Sequence, residues 1–123
     1  GKDITIAVTG TQLRNALSSY EKLMKSGVSV EIIYFHTLKP FDSKTLVESI
    51  KKTRKLVSLE ELSAHDGLFN LCLKACIEIE GVKFKQMAVE DFIHGYGTYD
   101  ELCTRAGLSS KDLEANIKNL LTA

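Results

Sequence analysis

Segments with the pattern of a strand alternate along this chain with segments that have the pattern of a helix, and this alternation restricts the fold more than any other feature. Apolar and β-branched residues predict strands at 3–8, 28–35, 56–59 and 84–89. Apolar positions with helical spacing separate them, and two short helices are predicted after the last strand. Strands joined through helices pair in parallel by right-handed crossovers. We therefore expect an α/β fold, a three-layer α/β/α sandwich on a mainly parallel four-stranded sheet.

Composition narrows the class of protein. The 123 residues are enough for one compact domain, expected to span 1–123, and 44% hydrophobic with 26% charged residues is typical of a globular protein. Sixteen basic residues balance sixteen acidic ones, so we expect neither nucleic acid nor a membrane as a partner. Three cysteines without a secretory signal indicate a reducing compartment, and we expect a cytoplasmic protein. The start at Gly1, without methionine, indicates a segment of a longer polypeptide.

Several polar residues mark predicted helix boundaries. Asp42 is a candidate N-terminal cap for the second helix. The spacings Thr98-x-x-Glu101 and Ser109-x-x-Asp112 predict the N-termini of the last two helices.

The turn Thr9-Gly10-Thr11 follows the first strand and opens a helix. Backbone N–H groups at such a position can hold an anion, which makes these three residues candidates for a ligand site. The turn has a single glycine and none of the glycine-rich nucleotide-binding motifs, so the signal for a nucleotide site is weak and a plain turn with a helix cap explains it.

A second group of candidates follows the third strand: Glu60, Glu61, His65, Asp66 and Gly67. Acidic residues at the carboxyl end of a central strand lie where α/β folds place ligands. They are equally well explained as a solvated strand end, with a loop from Glu60 to Gly67 and Asp66 as the cap of the next helix.

The remaining cysteines and histidines predict neither a metal site nor a catalytic one. Cys72 and Cys76 fall on an apolar helical stripe, which favours small buried hydrophobic residues. His36, His65 and His94 belong to no recognisable catalytic motif, and surface or capping roles are expected for them.

In their order along the whole chain, these features resemble the C-terminal domain of transketolase-like thiamine diphosphate enzymes. That group includes transketolase, 1-deoxyxylulose-5-phosphate synthase and the beta subunit of 2-oxo acid dehydrogenases. The resemblance is carried by these stretches: Gly1-Lys2-Asp3-Ile4-Thr5-Ile6, Thr9-Gly10, Thr37-Leu38-Lys39-Pro40-Phe41-Asp42, Lys55-Leu56-Val57-Ser58-Leu59-Glu60-Glu61, Gly67-Leu68 and Gly107-Leu108.

The chain also departs from the family at several positions. Tyr34 and His36 stand where relatives usually have an aspartate and an arginine. The loop after the two glutamates has Asp66-Gly67 and Phe69 where relatives usually have three glycines. These differences indicate a divergent branch and leave any ligand contact of that loop open.

The resemblance implies a non-catalytic domain of a larger enzyme, most simply a transketolase that transfers a two-carbon ketol unit between sugar phosphates. The full enzyme would use thiamine diphosphate and magnesium, bound by other domains, since this chain has no Gly-Asp-Gly motif. The expected partners are those domains or subunits, in a homodimer. The synthase of deoxyxylulose phosphate and a free-standing α/β module that binds a small anion are the alternatives.

Together with right-handed crossovers, the resemblance implies the parallel strand order 2-1-3-4. This order places Thr9-Gly10-Thr11 beside residues 60–67 at the carboxyl edge of the sheet. There we expect one of the two glutamates to accept hydrogen bonds from the neighbouring loop. The positive end of the third helix should favour an anion or a carboxylate such as Glu61 in the same gap.

Overall fold

The computed structural model describes all 123 residues, with strands and helices alternating as the sequence predicts. The elements in chain order are β1 (Ile4–Val8), a 3-10 turn (Gly10–Gln12), α1 (Leu13–Lys25), β2 (Val30–Tyr34), α2 (Ser43–Thr53), β3 (Lys55–Ser63), α3 (Leu68–Cys76), β4 (Lys83–Val89), α4 (Tyr99–Arg105) and α5 (Ser110–Thr122).

The four strands form one sheet in the order β2-β1-β3-β4, and every neighbouring pair is parallel. Helices cover both faces, so the predicted α/β class and strand order are confirmed. The chain moves from β1 outward to β2, then back across β1 to β3 and outward again to β4. The connections after β1 and β3 therefore diverge, and a crevice opens between the carboxyl ends of these two strands.

Each face of the sheet has its own hydrophobic core. One core lies under α1 and α5 and includes Ile6, Leu23 and Ile117; the other lies under α2 and α3 and includes Ala7, Ile50 and Cys72. Because β1 contributes buried side chains to both cores, it is buried along its whole length.

The helix caps that the sequence predicts are present. Asp42 accepts a 3.1 Å hydrogen bond from the backbone N–H of Thr45 at the start of α2. The pairs Thr98 with Glu101 and Ser109 with Asp112 form reciprocal capping boxes at α4 and α5.

The predicted element boundaries need correction around β3 and α3. β3 continues through Glu60 and Glu61 to Ser63, although a loop was expected from Glu60 onward, because an irregular stretch after Leu59 lets Ser63 pair with Val89 of β4. α3 ends at Cys76, and a tight turn in which the N–H of Ile79 donates to the Cys76 carbonyl (2.9 Å) follows it. β2 is shorter at both ends than the predicted 28–35.

α1 buries only some of its apolar side chains, namely Ala16 and Leu23, together with two polar ones. Asn15 and Ser19 are buried because they donate hydrogen bonds to the carbonyls of Leu108 (3.0 Å) and Ser110 (2.9 Å) at the start of α5. Three large apolar side chains of α1 are exposed: Leu17 at 53%, Tyr20 at 37% and Met24 at 43%. We call Leu17, Tyr20 and Met24 the α1 apolar face.

None of the helices combines the length and the hydrophobicity that crossing a bilayer requires.

Candidate functional site

The crevice at the carboxyl edge brings most of the predicted candidates into one region. The backbone N–H of Thr9, just after β1, donates to the carbonyl of Leu59 in β3 at 3.3 Å. The turn after β1 and the end of β3 are thus held side by side. Within this region, the two neighbouring glutamates of β3 point in opposite directions and have different partners.

Glu60 is a fully buried carboxylate that caps α3 from inside the protein. Its Oε2 accepts the backbone N–H of Leu68 at 2.7 Å, and its Oε1 accepts that of Phe69 at 3.4 Å. The first N–H groups of a helix lack partners within the helix and carry its positive dipole end, so a carboxylate is favourable there. Glu60 therefore occupies the position where this fold would place an anionic ligand.

Two expectations about this helix end are wrong. Asp66 is exposed and does not cap α3; the capping position is Gly67, which has no side chain to donate or accept. Glu61 does not face the helix end either, because the N–H groups there are bonded to Glu60. The cap comes from a strand residue that lies eight positions before Leu68, rather than from the residue adjacent to the helix.

Gly67 is required by its conformation and by Glu60. Its φ of 137° belongs to a region that is almost restricted to glycine. A Cβ atom at this position would lie 2.5 Å from Oε2 of Glu60, which is closer than any real contact allows. The close approach of the loop to the carboxylate thus depends on this glycine.

Glu61 turns to the other side of the crevice and gathers three donors on a single oxygen. Its Oε1 accepts the hydroxyl of Thr11 at 2.6 Å, the amide of Gln12 at 3.1 Å and the hydroxyl of Tyr99 from α4. We call Thr11, Gln12, Glu61 and Tyr99 the Glu61 cluster. It joins the turn after β1, the end of β3 and α4.

The two glutamates have pKa values shifted in opposite directions. Burial raises the pKa of Glu60, and the bonds from the backbone N–H groups of Leu68 and Phe69 only partly offset it. For Glu61, burial also acts to raise the pKa, but the hydrogen bonds from its three donors outweigh burial and lower it. Burial, followed by the bond to Glu61, raises the pKa of Tyr99, so its hydroxyl stays protonated and remains a donor.

The other candidate residues, Thr9, Gly10 and His65, do not form one site with the two glutamates. The Thr9 hydroxyl donates to the carbonyl of Phe35 at 2.7 Å, away from the glutamates. Gly10, at φ 63°, forms the exposed turn. His65 is exposed, and its carbonyl accepts a 2.8 Å bond from Asn70. Of the predicted set, only Thr11 with Glu61 and Gly67 with Glu60 come into direct contact.

Sequence reasoning missed Gln12 and Tyr99. Gln12 is completely buried, its amide also reaches the Tyr99 hydroxyl at 3.2 Å, and its carbonyl oxygen accepts from Asn15 at 3.0 Å. The one signal in the sequence was that a long amide side chain directly follows the Thr9-Gly10-Thr11 turn. Nothing local connects it to Tyr99, which lies 87 residues further on.

The cysteines behave as buried apolar residues, as predicted. Cys72 and Cys76 are 0% and 2% exposed. Burial raises the pKa of the Cys72 thiol to about 12 and also raises that of Cys76, so both thiols stay protonated and are poor nucleophiles. No group of three or more histidine, cysteine, aspartate or glutamate side chains is arranged to hold a metal ion.

Three groups of exposed apolar side chains lie on the surface, in addition to single residues such as Tyr34 and Leu62. The first is the α1 apolar face. The second is an open groove of about 790 Å³ beside α3, which includes Leu73, Ile77 (82% exposed) and Phe84. The third is the segment between β4 and α4, where Phe92 and Tyr96 are 87% and 99% exposed. Exposed apolar patches of this kind are typical of surfaces that contact other protein.

These observations define a doubly wound α/β domain in which both glutamates of the crevice are bonded to other groups of the domain. Comparison with known proteins identifies its family. A sequence profile described as "Transketolase, C-terminal domain" matches residues 1–113, and the chain belongs to this family.

Relatives show what larger proteins such a domain belongs to. The chain is 32% identical over 113 residues to a protein of Clostridium sp. (strain MSTE9) named 6-deoxy-6-sulfo-D-fructose transketolase subunit SqwH, covering 92% of this chain and 35% of that protein. It is 43% identical over 68 residues to the mitochondrial pyruvate dehydrogenase E1 component subunit beta of Dictyostelium discoideum, covering 55% of this chain and 19% of that protein. The chain thus spans about a third or less of these relatives.

Solved structures agree in fold. A structure titled "Split gene transketolase, inactive beta4 tetramer" superposes with a TM-score of 0.90 at 30% identity, covering 99% of this chain and 40% of that one. Transketolase from Campylobacter jejuni superposes with a TM-score of 0.67 at 21% identity over 95% of this chain and 17% of its own, which shows the shared fold.

Proposed function

We propose that residues 1–123 form one domain, the non-catalytic C-terminal domain of a transketolase-type enzyme that transfers a two-carbon ketol unit between sugar phosphates. The task of the domain is to pack against the other domains or subunits of a homodimeric enzyme. The observation that carries this proposal is the bonding of both crevice glutamates within the domain. Glu60 and Glu61, the acidic groups best placed for chemistry, are both committed to hydrogen bonds inside the domain.

The chemistry of the remaining groups supports a structural role. A general acid or base must reach a substrate proton, and Glu60 is fully buried behind the α3 N-terminus. The buried thiols have raised pKa values and do not form thiolates at neutral pH. The three free cysteines fit a reducing compartment, so the cytoplasm is the proposed location.

The chain's own residues do not fit the cofactor of this enzyme class, thiamine diphosphate with magnesium. A diphosphate would need free N–H donors such as those of a helix N-terminus, and Glu60 takes those of α3. Magnesium would need a group of oxygen ligands, and no acidic cluster of that kind is arranged here. We propose that other domains bind the cofactor, and no catalytic step is assigned to this chain.

The exposed apolar surface supports packing. Besides Ala16 and Leu23, α1 buries polar Asn15 and Ser19, whereas the α1 apolar face is exposed. An isolated globular helix usually turns its large apolar side chains towards the core. The arrangement is favourable if α1 meets another apolar surface in the assembled enzyme. The relative from Clostridium is named as a subunit, and the split gene transketolase is titled as a tetramer, so related chains also work in assemblies.

Three alternatives remain distinguishable. The chain could belong to a 1-deoxyxylulose-5-phosphate synthase or to an E1 beta subunit. The sequence match to the E1 subunit of Dictyostelium covers only 55% of the chain, whereas the match to the transketolase subunit of Clostridium covers 92%. A free-standing module that binds a small anion is disfavoured, because Glu60 places a negative charge where that anion would bind.

The test of the parent activity uses the complete enzyme that contains this chain, supplied with thiamine diphosphate and magnesium. Three reactions are compared: ketol transfer from xylulose 5-phosphate to an aldose phosphate, condensation of pyruvate with glyceraldehyde 3-phosphate, and oxidative decarboxylation of pyruvate. We expect turnover in the first. Turnover only with pyruvate would contradict the transketolase proposal and identify the synthase or the dehydrogenase.

Packing is tested separately with Leu17→Ser and Met24→Ser in the complete enzyme. Both side chains are about half exposed, so we expect each variant to change the Tm of the domain by no more than about 2 °C while weakening assembly in sedimentation experiments. Glu21→Ser, an exposed site on the same helix, is the matched control. Unchanged assembly in both apolar variants would show that the α1 apolar face is not an interface.

A further inference from the structure

The segment after β4 is attached to the domain by few buried contacts. We call residues 90–105, the irregular stretch 90–98 together with α4, the strap. No residue from Glu90 to Leu102 is buried, and residues 90–97 make no backbone–backbone hydrogen bonds. The elements on either side are firmly anchored, by Met87 in β4 and by Leu113 and Ile117 in α5.

The contacts that hold the strap converge on two residues of α4. The Tyr99 hydroxyl donates to Oε1 of Glu61 and accepts from the Gln12 amide at 3.2 Å. Cys103 is the one buried residue of α4, and its sulfur lies 3.5 Å from the same amide nitrogen. The ion pair of Arg14 with Asp100 is exposed on both sides, and such pairs contribute little to stability.

Apolar packing under the strap is incomplete. A cavity of about 240 Å³ lies between the strap and the carboxyl edge of the sheet, lined by Ile93 and Leu102 on one side and by Glu61 and Val89 on the other. A segment that buries little apolar surface opens at low cost, because little hydrophobic free energy is lost. The polar contacts to Glu61 therefore decide whether the strap stays closed.

We propose that Glu61 is a latch, and that breaking its bond to Tyr99 lets the strap open as one unit while the sheet and the other helices stay folded. The strap carries the exposed Phe92 and Tyr96, so the latch also fixes where these two aromatic side chains stand relative to the crevice. This inference concerns the chain itself and holds whichever enzyme contains it.

The test is hydrogen exchange, measured by mass spectrometry on the chain and on its variants. Glu61→Ala removes the acceptor, and Tyr99→Phe removes only the donor hydroxyl. Since a hydrogen bond to a charged group is lost in each case, we expect exchange in α4 to become about 10-fold to 100-fold faster. In the parent and in the variants, exchange in α4 should depend less on urea concentration than exchange in β1 and α5, which requires global unfolding. Glu61→Gln retains an amide oxygen and should give an intermediate rate. Glu90→Ala, an exposed carboxylate on the same edge, should leave the rate in α4 as in the parent.

The double variant Glu61→Ala with Tyr99→Phe separates a latch from two independent effects. If the two residues act through one bond, the double variant should exchange in α4 no more than about twofold faster than the faster single variant. Two results would overturn the proposal. One is unchanged exchange in α4 in both single variants. The other is exchange in α4 with the same protection and the same urea dependence as exchange in β1 and α5, since the strap would then open only when the whole domain unfolds.

Discussion

Glu60→Ala is the substitution whose effect the structure defines most closely. It removes the internal cap of α3, leaving the buried N–H of Leu68 and the partly buried N–H of Phe69 without their acceptor. Loss of a helix cap costs about 0.5–2 kcal/mol, and a buried donor left without a partner costs about 1–3 kcal/mol. Because the two terms overlap, we expect a loss of about 2–4 kcal/mol in the free energy of unfolding.

Thermal and urea unfolding of the chain, followed by circular dichroism, measure this loss. For a domain of this size, about 3–5 °C in Tm corresponds to 1 kcal/mol, so the Tm should fall by about 10 °C. Glu90→Ala removes an exposed carboxylate and should change stability by less than about 0.5 kcal/mol. If Glu60→Ala unfolds at the same temperature as this control, the carboxylate does not cap α3 and the account of the crevice is wrong.

Two further predictions concern the same region. The raised pKa of Glu60 means that the folded state holds this proton more tightly than the unfolded state, so its contribution to stability falls as pH rises from the unfolded pKa through the folded one. The lowered pKa of Glu61 gives the opposite sign: its contribution to stability is present above the unfolded pKa and is lost as pH falls through the folded pKa. Glu60→Gln and Glu61→Gln should therefore change the pH profile of stability in opposite directions. Urea unfolding between pH 3 and 8 measures this profile. Gly67→Ala combines a strained φ with a clash against Glu60 and should cost at least about 2 kcal/mol in the same unfolding assay. Gly10→Ala, at φ 63° with open space around its Cβ, should cost about 1 kcal/mol. Equal losses in the two variants would show that the clash at Gly67 is relieved.

The features that sequence reasoning captured are those set by local chemistry. The cap at Asp42 depends on residues three positions away, and strand order follows from the handedness of crossovers together with the family resemblance. The two cysteines on the α3 stripe were predicted to be buried because helical spacing alone places them beside the core.

The features that sequence reasoning missed depend on contacts between distant parts of the chain. Tyr99 reaches Glu61 across 38 positions, and no pattern near either residue indicates the partner. The exposure of Leu17 follows from Asn15 and Ser19, whose partners in and before α5 lie 93 and 91 residues away. Glu60 and Glu61 are adjacent and chemically identical, so which of them caps α3 is decided by the alternation of side chains along β3.

The measurement that tests the central claim most directly is the ketol-transfer kinetics of Glu61→Ala in the complete enzyme. If the domain only packs against its neighbours, kcat should stay within about twofold of the parent at temperatures where the variant is folded, although its Tm is lower. Loss of a general acid or base typically lowers kcat by about 10²–10⁴-fold. A fall of that size, with Tm and assembly unchanged, would contradict the account and place Glu61 among the catalytic residues.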